Sequence, residues 1–294
     1  MAKQAQAPTL DDALRRWGLV PVNGKRLLES RSAATVLHVE GSHGRAYLKV
    51  TPATAGEGPS REARRELAFY TDVAPGLPSV APRLLDALDE PHGIALLISD
   101  AGRVESRDMW TTARWARFAE IVHQVHAVTP SRDEFCVVRP LDGPLRDTVD
   151  EAEQFWGDHL ARFDEANDMV VRAIPDLMAD HAFVHGDLHL DNVVYANGDD
   201  IRLTDWQQCG LGSVAADLAF VNVRLAPTGH LAPDEFLAAY AATAGHDHAE
   251  LRRTTELLEL ATYLFVWPPF AAYNSAEGVA NVRARARRLR DVLT

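Results

Sequence analysis

At 294 residues, with 47% apolar and 24% charged side chains, the chain has enough material for one large domain or two lobes around a buried core. A formal net charge of −12 argues against nucleic acid as the main partner and favours a cationic one. Two cysteines, Cys136 and Cys209, are too few for a disulfide framework. No run is long and apolar enough for a membrane span or a signal-type segment, so a cytoplasmic protein is expected.

Leu10 to Gly18 reads as a short helix capped by Thr9. From Arg26 to Ile98 the texture is β. Apolar runs at Arg26–Glu29, Thr35–Glu40, Arg45–Val50, Arg83–Leu88 and Ile94–Ile98 are separated by turn residues, with Gly41-Ser42-His43-Gly44 as a hairpin connection. One helix interrupts them: Pro59 starts it, Ala63, Glu66, Leu67 and Tyr70 share a face, and Pro75-Gly76 stops it. After Ser99-Asp100-Ala101-Gly102 the spacing turns helical, beginning with Trp110, Phe118, Ile121, Val122 and Val125. Further helices are expected over Asp150–Phe163, Glu165–Asp180, Ala215–Leu225, Pro233–Ala244, His248–Val266 and Glu277–Leu293. The shift near residue 100 marks the expected boundary between a β-rich part, 1–100, and a helical part, 101–294. The arginines from Arg283 to Arg290 share the last helix with an apolar stripe. They read as its solvated face, where positive charge suits the helix dipole.

The helical part is broken once, by the stretch Phe183 to Gln207. Two short apolar runs, Val193 to Tyr195 and Ile201 to Thr204, flank Asn197-Gly198-Asp199-Asp200 and read as a β-hairpin. If it closes, Asn192 at its start and Asp205 after its end become neighbours, with Asp187 on the preceding loop. Two carboxylates and an amide oxygen are hard ligands of the kind Mg²⁺ prefers while it also holds phosphate oxygens. Individually, Asn192 and Asp205 also suit turn caps. His185, Asp187 and His189 superficially suit a metal hydrolase, but no further histidine cluster accompanies them. The segment Gly18 to Lys25 is not a P-loop, because five residues separate its glycines and Arg26 replaces the required Ser or Thr.

The order HGDLHLDN then TDW resembles the aminoglycoside phosphotransferase family, whose fold is protein-kinase-like. His185, Asp187 and Asn192 keep the kinase catalytic-loop register. Asp205 matches the metal-binding aspartate, followed here by Trp206. Tyr47-Leu48-Lys49-Val50 resembles the strand with the phosphate-contacting lysine, and Glu66 the helix glutamate that pairs with it, although Glu62 one turn earlier competes for that role. Gly210-Leu211-Gly212 and Ala216-Asp217-Leu218-Ala219 match the segment after the metal site.

The resemblance implies an α+β fold of two lobes: a small β-rich N-terminal lobe with one helix, and a larger, mainly helical C-terminal lobe. It implies Asp187 as catalytic residue, Asn192 and Asp205 as Mg²⁺ ligands, and Lys49 and Glu66 at the nucleotide, with Ile98 and Asp100 beside it at a hinge running to Ala101. His185 and Asp217 would support the loop. The loop Ser30 to Ala34 has no glycine, so phosphate contacts there would come from Ser30, Ser32 and backbone amides.

The implied reaction moves the γ-phosphate of ATP or GTP to an alcohol group. Eleven residues separate Asp205 from Asp217, too few for a long peptide-docking segment, so a small-molecule acceptor is expected. An antibiotic leads, ahead of metabolites such as choline, homoserine or a fructosamine, and a non-catalytic kinase-like binding module is the rival of another class. Between Arg146 and Asp180 ten Asp/Glu stand against three Arg. Glu256, Glu259, Tyr263 and Trp267 share one helix side, which suits either an ammonium site or ordinary packing.

Overall fold

The computed structural model describes residues 10–26, 34–130, 135, 149–160, 163–177, 181–196 and 200–294. These form two compact units. The first holds the described residues up to Glu105, with Pro130 and Val193–Cys209; the second holds the remainder. Among the described residues no helix is long and apolar enough to cross a membrane.

The first unit opens with α1 (Leu10–Arg16), which Gly18 ends at φ 58°, a conformation that costs glycine little. The chain therefore enters β1 at once, over Val20–Arg26; the strand expected at Arg26–Glu29 lies, beyond Arg26, outside the described residues. β2 (Thr35–Gly41), β3 (Gly44–Pro52), β4 (Leu84–Glu90) and β5 (Gly93–Ser99) complete an antiparallel sheet ordered β1-β2-β3-β5-β4. Alternate residues of the sheet, Leu37, Val39, Ala46, Leu48, Ala95 and Leu97, form a core with Ala13 of α1. α2 (Glu57–Ala68) packs against β3 and β5 and starts two residues before Pro59, after Gly56 at φ 106°. It continues into a wide turn, Phe69–Val73, and stops at Ala74–Gly76.

The hairpin belongs to this unit. β7 (Val193–Tyr195) pairs with β8 (Ile201–Leu203) through Val193↔Leu203 and Tyr195↔Ile201. The turn residues Asn197, Gly198 and Asp199 lie outside the described residues. Arg103 and Tyr195 exchange backbone hydrogen bonds of 3.1 and 2.9 Å, and a Cβ on Gly102 would collide with the Tyr195 carbonyl. Glycine at 102 is thus what lets the strand-to-hairpin bridge form.

The second unit contains α3 (Thr112–His126), α4 (Val149–Trp156), α5 (Phe163–Leu177), α6 (Val214–Leu225), α7 (Asp234–Ala244), α8 (His248–Ala261) and α9 (Ala276–Leu293). A two-stranded ladder joins β6 (Ala182–Val184) to β9 (Gly210–Gly212), whose strands are far apart in sequence. Trp156, Leu258, Tyr263, Leu264, Val282 and Leu289 anchor its core. The helix expected to reach Val266 widens at Thr262, where Trp267 N–H bonds Thr262 O at 2.9 Å across five residues. Pro268 and Pro269 follow, and neither has an N–H with which to continue a helix.

Candidate active site

Lys49 sits mid-sheet on β3, opposite Val36 and Leu96. Its Nζ lies 2.7 Å from Glu66 Oε2 and 2.7 Å from Asp205 Oδ1. The partner on α2 is therefore Glu66, not Glu62. Glu66 is 1% exposed and also accepts the Trp206 backbone N–H. Burial pulls the Lys49 ammonium down, but Glu66 and Asp205 outweigh it and hold it above its ordinary value. Burial pushes Glu66 up despite Lys49.

Asp205 has φ 64°, the one positive φ at a non-glycine among the described residues. Such a conformation costs on the order of 1–3 kcal/mol and needs support from its surroundings. Support comes from α2, its extension and the end of β8. The Trp206 ring stacks on Phe69 at 3.7 Å and 10°, Trp206 Nε1 donates to Leu203 O at 3.0 Å, and Arg65 Nη1 donates to Gln207 O at 3.3 Å. The tryptophan after Asp205 thus ties that aspartate to the helix carrying Glu66.

In the second unit β6 delivers the chain to His185. Asp217 on α6 receives the His185 N–H on Oδ2 at 3.0 Å and the Gly186 N–H on Oδ1 at 2.9 Å. His126 Nε2 lies 3.1 Å from the same Oδ2, and His126 Nδ1 lies 2.7 Å from the Tyr240 hydroxyl. Both contacts are satisfied with Nε2–H donating to Asp217 and the Tyr240 hydroxyl donating to Nδ1. His126 and Tyr240 are supports of this loop that sequence reasoning missed. They come from α3 and α7, and no local motif announces them.

On this anchored loop Asp187 N–H bonds His185 Nδ1 at 3.3 Å. Asn192 Nδ2 donates to Asp187 O at 2.9 Å and to Asp187 Oδ2 at 3.2 Å. His189 Nε2 is 3.4 Å from Asp187 Oδ2, and its Nδ1 is 3.4 Å from Asp191 Oδ2. Burial pushes Asp187 up, but His189, His185 and Arg224 prevail and lower it to about 2. Burial likewise lowers His189, and Asp187 with Asp191 overcomes that to raise it.

A group raised on folding stabilises fully below its unfolded pKa and loses that contribution as pH rises through its folded value. In protein stripped of divalent cations, His189→Gln is therefore expected to lower the melting temperature by about 2–4 °C at pH 5.5, for roughly 1 kcal/mol. The deficit should shrink at pH 8.5. Calorimetry at both pH values checks it, and a deficit that grows with pH would contradict the ion pairing.

The other expected site residues fall as follows. Ile98 lies in β5 opposite Tyr47, and Asp100 just beyond bonds His38 Nε2 at 3.0 Å and Gly102 N–H at 3.0 Å. Ser30 and Ser32 lie outside the described residues. Glu259, Tyr263 and Trp267 do not form an open stripe. Glu259 is 0% exposed, and both its oxygens meet Arg285 of α9 at 2.8 Å, with the Tyr263 hydroxyl donating at 3.1 Å. Of the two readings of that helix side, ammonium site or ordinary packing, the structure has the packed one: Arg285 from the last helix already neutralises the carboxylate. In HGDLH, His185 accepts a backbone amide and His189 faces two carboxylates. Among the described residues no three His, Cys, Asp or Glu side chains form a metal-binding group.

Residues 24–257 match the phosphotransferase enzyme family, known as APH. The chain belongs to that family. A search of curated proteins finds no match by sequence, but solved structures share the fold. An amicoumacin kinase, solved with AMP-PNP, Ca²⁺ and amicoumacin, aligns at TM-score 0.64 and 12% identity over 96% of this chain and 93% of its own. A thermostable mutant of the aminoglycoside phosphotransferase APH(4)-Ia, bound to ADP and hygromycin B, aligns at TM-score 0.64 and 12% identity, covering 96% and 98%. Macrolide 2'-phosphotransferase MphH from Brachybacterium faecium aligns at TM-score 0.58 and 18% identity, covering 94% and 95%. The fold is protein-kinase-like, and the chain is a small-molecule O-phosphotransferase. The phosphotransferase carries an oxygen donor of the type Mg²⁺ takes in each unit, the Asp205 carboxylate and the Asn192 amide.

Proposed function

We propose that this phosphotransferase moves the γ-phosphate of ATP or GTP onto a hydroxyl of an antibiotic, in the cytoplasm. The observation that carries the reading is Asp187, held ionised on a loop whose amides are fastened to Asp217 and whose Asn192 bonds the Asp187 carboxylate. A carboxylate lowered to about 2 is a weak base at neutral pH. Its main contribution is to accept the acceptor hydroxyl's hydrogen bond and aim the oxygen at phosphorus. Little more is needed, because the loose transition state of phosphoryl transfer asks for positioning before deprotonation.

Lys49, kept extended by Glu66, balances charge on the nucleotide's phosphates, with Ile98 and Asp100 nearby in the β-rich part, 1–100. Asp205 and Asn192 supply oxygens to Mg²⁺, which, when bound, neutralises charge on the transferring group. Two of the solved structures named above hold a nucleotide or its analogue, AMP-PNP in the amicoumacin kinase and ADP with hygromycin B in APH(4)-Ia, which supports this assignment.

The test is growth of an expressing strain across an antibiotic panel. Purified protein, Mg²⁺ and ATP or GTP are then incubated with each protective compound, and the product is weighed by mass spectrometry. A phosphate adduct that disappears on adding EDTA is expected. Protection without an adduct, or an adduct formed without nucleotide, would sink the reading.

A further inference from the structure

Within the helical unit a small pocket adjoins Gly186, the residue before Asp187. Val184 of β6, Ala216 and Phe220 one turn apart on α6, and Val266 of the wide turn after α8 give it apolar walls. Ala216, Phe220 and Val266 are only partly buried, which leaves the pocket open to solvent on that side. The wide turn sets Thr262 and Val266 on one wall, and such i→i+5 turns recur at functional sites.

The polar groups of the pocket settle what charge it tolerates. Asp217 lines it, but its oxygens already receive the His185 and Gly186 amides and face His126. The Thr262 hydroxyl donates to Leu258 O at 2.8 Å. Ser213, at the start of α6, makes no cap bond with its side chain. The pocket thus offers apolar surface and a serine hydroxyl, and the one carboxylate that lines it is engaged by the His185 and Gly186 amides and by His126 rather than standing open to an ammonium.

We propose that this pocket binds an uncharged, branched apolar group of the acceptor, beside the hydroxyl that Asp187 orients. The assignment to the acceptor rests on the phosphotransferase reading. It departs from the cationic acceptor that the net charge of −12 favours.

The experiment follows the methyl signals of Val184 and Val266 in the full-length protein during titration with 3-methylbutan-1-ol and, separately, with 2-aminoethanol. Saturable shifts with the neutral alcohol, at an apparent affinity at least about tenfold above that of the amine, are expected. Ala216→Leu should weaken the alcohol's effect by about tenfold or more, with the Leu289 methyls as a fold control. If that variant fails to fold, Val266→Phe fills the same space. Methyl signals that ignore the alcohol, or respond equally to the amine, overturn the proposal. ADP release with an acceptor from the antibiotic panel reports the reaction separately. Release without any methyl response overturns the pocket alone, whereas saturable binding with no phosphoryl transfer to any acceptor overturns the reaction and the acceptor assignment together.

Discussion

Replacing Asp187 with asparagine is expected to lower kcat by about 10²–10⁴-fold while the nucleotide KM stays within about twofold. Asparagine keeps the size of the side chain and can still accept from Asn192 Nδ2, now 3.2 Å from Asp187 Oδ2. What it loses is the negative charge toward which a substrate hydroxyl turns its hydrogen. The backbone bonds from His185 and Gly186 to Asp217 do not involve the Asp187 side chain, so the loop should keep its path. Steady-state kinetics of ADP release separate the outcomes. An unchanged kcat would remove Asp187 from the reaction, and a large rise in nucleotide KM would mean that the loop had been disrupted instead.

The second large effect is expected at Lys49. Lys49→Met should cost both activity and stability, because Glu66 stays buried without its cation. Removing one member of a buried ion pair typically costs about 3–5 kcal/mol. The figure here should be nearer 3 kcal/mol, since Asp205 is 41% exposed and solvent already screens it. That corresponds to a melting temperature about 6 °C lower, leaving the protein folded at 25 °C. Turnover should fall about 10²-fold or more as phosphate charge goes unbalanced. The double variant Lys49→Met, Glu66→Gln separates the two losses. It should regain most of the stability, because the orphaned charge is gone while the Trp206 N–H keeps an acceptor, and none of the activity. Full activity in either variant would take Lys49 out of the site.

Much of the fold is legible in the sequence because its signals are local. Period-two apolar runs and turn residues mark strands β2 to β5, and period-3.6 runs mark most helices after residue 110, to within a few residues at their ends. The helix expected over His248–Val266 keeps those ends, with its last turn widening from Thr262 to Val266. The hairpin likewise shows in its two short apolar runs, and its strands pair in register. The order of Lys49, Glu66, Asp187, Asn192 and Asp205 is also written in the chain, since motif spacing is a one-dimensional property.

Which partner each charged group takes is not. Glu66 and Glu62 sit one turn apart on the same helix, and only the packing of α2 on the sheet directs Glu66 to Lys49. Glu259 looks available in a helical projection, yet Arg285, 26 positions away, closes on it when α9 packs. Asp217 becomes the anchor of the Asp187 loop only because β6 and β9 pair across the intervening hairpin and set α6 against His185 and Gly186. Sequence alone determines which residue types are present and on which helix or strand they lie. Tertiary structure decides which of their charges are neutralised, because a buried carboxylate must find its partner among whatever the fold packs against it, near or far along the chain.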